Sequence, residues 1–510
     1  MHLDHDLQSI QSAREIIRNA RAAAEALAGF SQAQLDSICA EIARDGEAHA
    51  KPLAELAVEE TGFGRVEDKV LKNLLGSKLT WEAWKDTTAV GILSEDKQNG
   101  LMEIGVPVGV VAALIPSTNP TSTTLYKAII ALKAGNAIVF SPHPNAKRCI
   151  LETVQLIQRA AKCAGAPENA VQSLTLLTRE ATECLLRDPC VGVILATGGE
   201  AMVRAAYSSG NPAIGVGPGN GPAFIERSAD IPQAVRYIIE SKTFDNGVIC
   251  ASEQSIVTES CIAQTVEEEL KYQHCYFLNE SESAALASLL LRPNGTMNPK
   301  IVGKTALEIA SMAGITVPPN TRVLISKQDG VSPRNAWCRE KLCPALAYYV
   351  EPDWEAACLR CLALLGIEGA GHTMVIHSKD EAVIREFAMK KPVSRLLVNT
   401  PAALGGVGAT TGLAPALTLG CGSVGGSATS DNVGPLHLRD IRRVAWGVRE
   451  LDSLRAPQPV GGTAKAAWEN DSLFGRILAP SRPPAPMHEN NTTPNDIAEI
   501  TRKVMERLKL

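Results

Sequence analysis

Residues 244–255 read FDNGVICASEQS. Cys250 follows the apolar pair Val248-Ile249 and is followed at once by small polar residues. A thiolate there can attack an aldehyde carbonyl. The adduct carries an oxyanion, and its C–H hydrogen can leave as hydride to a nicotinamide, which makes a thioester on the sulfur. Such chemistry needs a reachable thiolate, donors for the oxyanion and a dinucleotide held at a sheet edge. The sequence offers Cys250, the Asn119 amide together with the Cys250 main-chain N–H, and three polar or glycine-rich turns: PSTNP, SPHP and TGG. Read singly, each has a plainer meaning. A cysteine is by default a buried thiol, Asn-Pro is a turn, and the glycines at 215, 217, 219 and 221 permit a tight backbone path.

These residues must be positioned by their elements. Residues 110–116 (VVAALIP), 137–142 (AIVFSP) and 191–199 (VGVILATGG) read as buried strands, and helical stretches follow each. The alternation predicts right-handed βαβ crossovers and an α/β fold with a parallel sheet covered on both faces. Each strand ends in one of the three turns, where open sheets of this kind bind ligands. The first 75 residues are Ala-rich and helical in pattern, and residues 89–109 predict a hairpin around Asn99-Gly100. A second α/β region runs from 222 to 440. Within it, residues 404–427 are glycine-rich and read as packed irregular structure.

The motifs PSTNP (116–120), ALKAGNAIVFSPHP (131–144), ILATGG (194–199), NPAIGVGPGNGPAFI (211–225), SKTFDNGVICASEQS (241–255) and EKLCPALAYY (340–349) occur in one order along the chain. In that order and spacing the sequence resembles the aldehyde dehydrogenase superfamily and, within it, the CoA-acylating branch. ETGFGRVEDKVLKN (60–73) and VGPLHLRDIRRVAWG (433–447) resemble that branch too. The resemblance implies a Rossmann-like cofactor domain, an α/β catalytic domain and a β-hairpin oligomerisation arm. The implied boundaries are 1–221 for the N-terminal helices and NAD-binding domain, 222–440 for the catalytic domain, and 441–478 for a return to the cofactor domain and arm. It implies Cys250 as nucleophile and Asn119 as oxyanion donor. Thr118, Ser141, Pro142, Thr197, Gly198, Gly199, Glu340 and Leu342 are implied at the NAD site, and CoA is implied as co-substrate.

Two positions depart from the hydrolytic members. Val216 stands where they carry the glutamate that activates water, and losing such a base costs about 10²–10⁴-fold. A thiol such as CoA can cleave a thioester without it. Ser141 and Pro144 stand where a lysine and a glutamate are usual, which leaves NAD against NADP open. The expected reaction is therefore a short-chain aldehyde (acetaldehyde or propionaldehyde) with CoA and NAD⁺ to acyl-CoA and NADH. The alternatives are a hydrolytic acid-forming enzyme, a semialdehyde reductase such as glutamyl phosphate reductase, and a non-catalytic scaffold. A bifunctional aldehyde–alcohol dehydrogenase would need a further iron-dependent domain of several hundred residues, more than this chain holds.

Composition narrows the partners. With 45% hydrophobic and 21% charged residues and a net charge of −5, the 510-residue chain has no basic field for nucleic acid or acidic lipid. No apolar run nears the roughly 18–20 residues a membrane span needs, and no signal peptide is visible. The 13 cysteines fit a reducing cytoplasm. Cys358 and Cys361 form a CxxC without a second pair, which reads as helix packing rather than zinc. His372, His377 and His437 lack ligand spacing, so no metal is expected. Residues 479–494 hold five prolines and read as a linker. Residues 495–510 then form an amphipathic pattern with Ile497, Ile500, Val504 and Leu508 on one face. Linker and helix resemble the encapsulation peptides of bacterial microcompartment enzymes, which implies docking on shell or core proteins inside such a compartment. A homo-oligomer, dimer or tetramer, is expected.

Overall fold

The computed structural model describes residues 4–292 and 295–451. The Ala-rich start forms the helix His5–Leu27, whose buried positions Ala13, Ile17, Ala20, Ala24 and Leu27 recur at helical spacing. The next helix, Gln32–Ala48, begins at Ser31. The Ser31 hydroxyl accepts from the Gln34 N–H, and the Gln34 side chain accepts from the Ser31 N–H in return. Such a box satisfies two of the donors every helix start leaves over. Helices Ala50–Thr61 and Val66–Leu74 follow.

Five parallel strands form the first sheet, in the order Val171–Ser173, Ala137–Pro142, Val110–Ile115, Val191–Thr197, Ala213–Val216. Every residue of Val110–Ile115 and Ala137–Pro142 is buried, as expected of a sheet with helices on both faces. The chain runs outward to one side of Val110–Ile115 and then returns to its other side with Val191–Thr197. That reversal opens a crevice at the carboxyl ends of these two strands. The buried Lys127 ammonium ties them there: it donates to the Leu114 and Leu195 carbonyls, both at 2.9 Å. The two short outer strands, Val171–Ser173 and Ala213–Val216, have no apolar run long enough to stand out in the sequence.

Seven parallel strands form the second sheet: Cys275–Phe277, Val323–Lys327, Ala345–Glu351, Glu253–Glu259, Gly221–Ile225, Gly371–His377 and Val393–Val398. The CxxC lies on the helix Trp354–Ile367 with both thiols buried. His372 and His377 are buried in the strand Gly371–His377, and burial drives their pKa down to about 3 and about 4. His437 caps a short turn near Asp431, with 3.0 Å between Nε2 and the carboxylate. Among the described residues no group of side chains could hold a metal ion, and no helix is long and apolar enough to cross a membrane.

The hairpin Gly91–Asp96 and Leu101–Pro107 turns around Asn99-Gly100 and gains a third antiparallel strand, Arg439–Ala445. All three sheets belong to one unit, which ends at Trp446. The linker at 479–494, the helix at 495–510 and most of 441–478 lie outside the described residues.

Candidate functional site

The segment 217–220 leaves the first sheet at Val216 and enters the second at Gly221, so it crosses between the two. A cavity of about 1160 Å³ lies at this crossing. It takes in the carboxyl-end turns of the first sheet, with Thr118, Asn119, Thr197, Gly198 and Gly199, together with Ile249 and Cys250 just ahead of the strand Glu253–Glu259. Glu340 and Leu342 also line it. Its volume exceeds the few hundred to about 1,000 Å³ usual for small-molecule sites.

Glycine makes the crossing possible. A Cβ on residue 219 would stand 1.8 Å from the Cys250 carbonyl oxygen, so only glycine can lie there against the loop. The Gly219 N–H donates to Glu340 Oε1 at 3.0 Å, which brings that carboxyl up to the same loop.

The Cys250 loop begins with a strained turn. Asp245 and Asn246 take the left-handed region at φ 50° and 52°, which non-glycine residues rarely adopt. Asp245 is fully buried and over-determined by its partners. Its carboxylate accepts from the Arg65 N–H at 2.8 Å and from Lys69 Nζ at 2.9 Å, and it also pairs with Lys72. Its own N–H donates to Asp68 Oδ2 at 2.8 Å. Gly64 gives the carboxylate room, because a Cβ there would lie 1.8 Å from Asp245 Oδ1. The Lys72 ammonium continues to Asn119 Oδ1 and to the Val248 carbonyl, both at 2.7 Å. Burial lowers the Lys72 pKa to about 8, against the raising pull of Asp245.

Asn119 caps the helix Pro120–Lys133 at φ −135°, with Pro120 in the first turn. Its Nδ2 makes only a long contact to Thr118 Oγ1, at 3.4 Å. Cys250 is half-buried, and its thiol is pushed up to about 12. Burial is the largest cause, followed by the Glu340 and Cys421 charges, while Arg395 and the Cys250 N–H act in the other direction. Glu340 is itself raised to about 8 by burial and by Glu368, opposed by the Gly219 N–H.

Of the cofactor residues expected from sequence, Thr118, Thr197, Gly198, Gly199, Glu340 and Leu342 line the cavity. Ser141 and Pro142 do not. Both are buried, and Ser141 Oγ lies 3.1 Å from Thr182 Oγ1; the next residue, His143, reaches the cavity instead. Val216 is buried at the cavity wall, so no carboxylate stands at that position. The donor set suits a nicotinamide dinucleotide. Thr197–Gly199 leads into the helix Glu200–Tyr207, a backbone Cβ on Gly199 would meet open space, and Arg179, Arg187 and Arg204 line the same cavity as cations for phosphates. Sequence reasoning gave no role to Lys69, Lys72, Asp245 or these arginines. The spacing of Lys69 and Lys72, one helical turn apart, was the signal within ETGFGRVEDKVLKN.

The aldehyde dehydrogenase family model matches residues 6–275. The chain belongs to the aldehyde dehydrogenase family. Among this family member's relatives is the bifunctional aldehyde-alcohol dehydrogenase of Escherichia coli K12, 42% identical over 84% of this chain and 49% of that protein. The chain thus spans about half the length of the bifunctional relatives it matches. The acetylating succinate-semialdehyde dehydrogenase of Clostridium kluyveri is 37% identical over 86% of this chain and 96% of that one. A solved probable aldehyde dehydrogenase from Listeria monocytogenes EGD-e is 56% identical, with a TM-score of 0.88 over 89% of this chain and all of its own. A propionaldehyde dehydrogenase from a fucose utilisation microcompartment of Clostridium phytofermentans is 29% identical, with a TM-score of 0.78 over 85% of this chain and 97% of its own.

Proposed function

We propose that this aldehyde dehydrogenase is CoA-acylating: it converts a short-chain aldehyde, CoA and NAD⁺ to acyl-CoA and NADH through a thioester on Cys250. The observation that carries the reading is that Cys250 and Asn119 share one cavity whose wall at Val216 holds no base for water. The acetylating relative, matched along nearly its whole length, supports it.

Cys250 gives its thiol proton to solvent in the cavity and attacks the aldehyde carbon as the thiolate; a C–S bond forms and the carbonyl π pair moves to oxygen. The Asn119 Nδ2–H and the Cys250 N–H then face that oxyanion. A bound nicotinamide dinucleotide would supply the hydride acceptor needed to oxidise this adduct to a thioester. Thr118, Thr197, Gly198, Gly199 and Leu342 would form its bed, and the arginines at the rim would attract its phosphates. Glu340 is placed to hold a ribose with the oxygen that Gly219 does not engage. The CoA thiol finally attacks the thioester carbon, a new C–S bond forms, the bond to Cys250 breaks, and the proton that CoA gives up returns the Cys250 sulfur to its thiol. The apolar Val216 wall places no base for water at that position, which favours thiolysis over hydrolysis. NADH formation and products measured with and without CoA test this: multiple turnover giving acyl-CoA should require CoA, and a CoA-independent rate giving free acid would overturn it.

Acetaldehyde and propionaldehyde are the proposed substrates, and the microcompartment interior the proposed location, reached through residues 479–510. The solved relative from a fucose utilisation microcompartment supports this placing. Deleting 480–510 should abolish co-purification with the shell and spare activity; unchanged co-purification would refute the docking role. The three-stranded sheet, with Ile92 and Ile441 exposed, is the proposed oligomerisation arm.

A further inference from the structure

We infer that Lys72 is a positioning residue that fixes which way the Asn119 amide faces and ties that amide to the Cys250 loop. The inference rests on the reading of Asn119 as oxyanion donor and adds a group that reading does not contain.

An ammonium has three hydrogens, and Lys72 has one acceptor for each: Asn119 Oδ1 and the Val248 carbonyl at 2.7 Å, and the Asp245 carboxylate. Val248 and Asp245 are buried with Lys72 itself, which is 2% exposed, and Asn119 is half-buried. A side-chain amide can sit in two orientations that differ by exchange of oxygen and nitrogen. An ammonium can donate only to the oxygen, because an NH₂ turned toward it would place donor against donor. Lys72 therefore holds Oδ1 on its own side and leaves Nδ2, held only by the 3.4 Å contact to Thr118, on the other. The same charge withdraws electron density through the amide and strengthens the Nδ2–H donor.

The remaining two bonds of Lys72 reach the other half of the site. Val248 stands two residues before Cys250, and Asp245 anchors the strained turn that starts that loop. One side chain on the helix Val66–Leu74 therefore spans the oxyanion donor after one strand and the nucleophile loop before another. Lys69, one turn earlier, repeats the arrangement more weakly, donating to the Thr118 carbonyl at 3.1 Å and to Asp245. It keeps Asp245 paired when Lys72 is lost.

The test is the pre-steady-state burst of NADH with aldehyde and NAD⁺ in the absence of CoA, beside the rate at which iodoacetamide alkylates Cys250. Lys72→Met should slow the burst about 10²-fold, the scale of a misplaced catalytic group, with aldehyde KM and the alkylation rate within about threefold of the parent. Asn119→Ala should slow the burst at least as much, and adding Lys72→Met to it should cost little more, because the two act as a unit. Asp245→Asn, which keeps Lys72 on Asn119, should leave the burst within about tenfold. Should Lys72→Met fail to fold, the double variant Lys72→Met, Asp245→Asn leaves no buried carboxylate facing a lost lysine, and it carries the same expectation. A parental burst in whichever of the two Lys72 variants folds, or fully multiplicative losses with Asn119→Ala, would overturn the inference. If Asn119→Ala itself keeps the parental burst, the oxyanion assignment falls; if only the Lys72 variants keep it, the assignment stands and the positioning role falls.

Discussion

The two rims of the cavity are built from opposite materials. The rim at the carboxyl ends of the first sheet is made of small residues and main chain: Thr118, Thr197, Gly198 and Gly199 offer N–H groups, hydroxyls and space. The rim that carries Cys250 is set in buried charge, with Asp245, Lys69 and Lys72 behind the loop and Glu340 beside it. A rim of backbone and space can admit a large, flexible cofactor at little cost. A rim of buried paired charge resists displacement, since breaking one partner leaves an uncompensated ion and costs several kcal/mol. The molecule thus separates a surface that accommodates from a surface that must hold a sulfur and an amide in register.

Substitutions on the two rims should differ accordingly. The largest effect belongs to Cys250→Ala, which should abolish aldehyde-dependent NADH formation while NAD⁺ still binds, measured by tryptophan quenching or calorimetry. Asn119→Ala should follow with a loss of about 10²–10³ in kcat, the usual worth of one oxyanion donor. Steady-state kinetics with saturating aldehyde check it, and a KM effect alone would place Asn119 in binding rather than in the transition state.

The glycine crossing offers a smaller and sharper contrast. Gly219→Ala drives a methyl against the Cys250 carbonyl and should cost about 1–3 kcal/mol of stability by overpacking, with a fall in kcat. At Gly217 a Cβ meets nothing within 4 Å, so Gly217→Ala should stay within about 0.5 kcal/mol. Urea denaturation of the pair decides whether the crossing is a spacer or a ligand contact, because equal stabilities would remove the close approach as the reason for glycine at 219.

The same contrast explains what was legible in the sequence. Strands 110–115, 137–142 and 191–197 are continuous apolar runs punctuated by turns, so the accommodating rim and its position followed from pattern alone. The hairpin with Asn99-Gly100 followed from turn chemistry. The strand Arg439–Ala445 that completes that sheet pairs more than 300 residues from its partner Leu101–Pro107, and no local signal marks it as such. The charged rim was hidden for a related reason. Lys69 and Lys72 on a short helix look like a solvated face, and their burial becomes visible only when Asp245, 173 residues beyond Lys72, is brought against them. Ser141 and Pro142 illustrate the converse: a strand end aligned with a family motif still lies one residue short of the cavity.

The last expected effect concerns pH. Glu340 titrates at about 8 in the fold against 4.5 for an ordinary glutamate. Between those values the native state keeps a proton that the unfolded chain releases, so this group's contribution to stability falls as pH rises through that window. Glu340→Gln should flatten the decline of the thermal midpoint between about pH 5 and 8. An unchanged slope would mean that the Gly219 N–H and nearby lysines keep the carboxylate ionised.

The central claim is a covalent acyl group on one sulfur. Intact-protein and peptide mass spectrometry after mixing the protein with propionaldehyde and NAD⁺, without CoA, tests it most directly. The account predicts a propionyl adduct on the peptide carrying Cys250, discharged as propionyl-CoA when CoA is added. An unmodified Cys250 peptide during NADH formation, or an adduct that CoA does not remove, would contradict it.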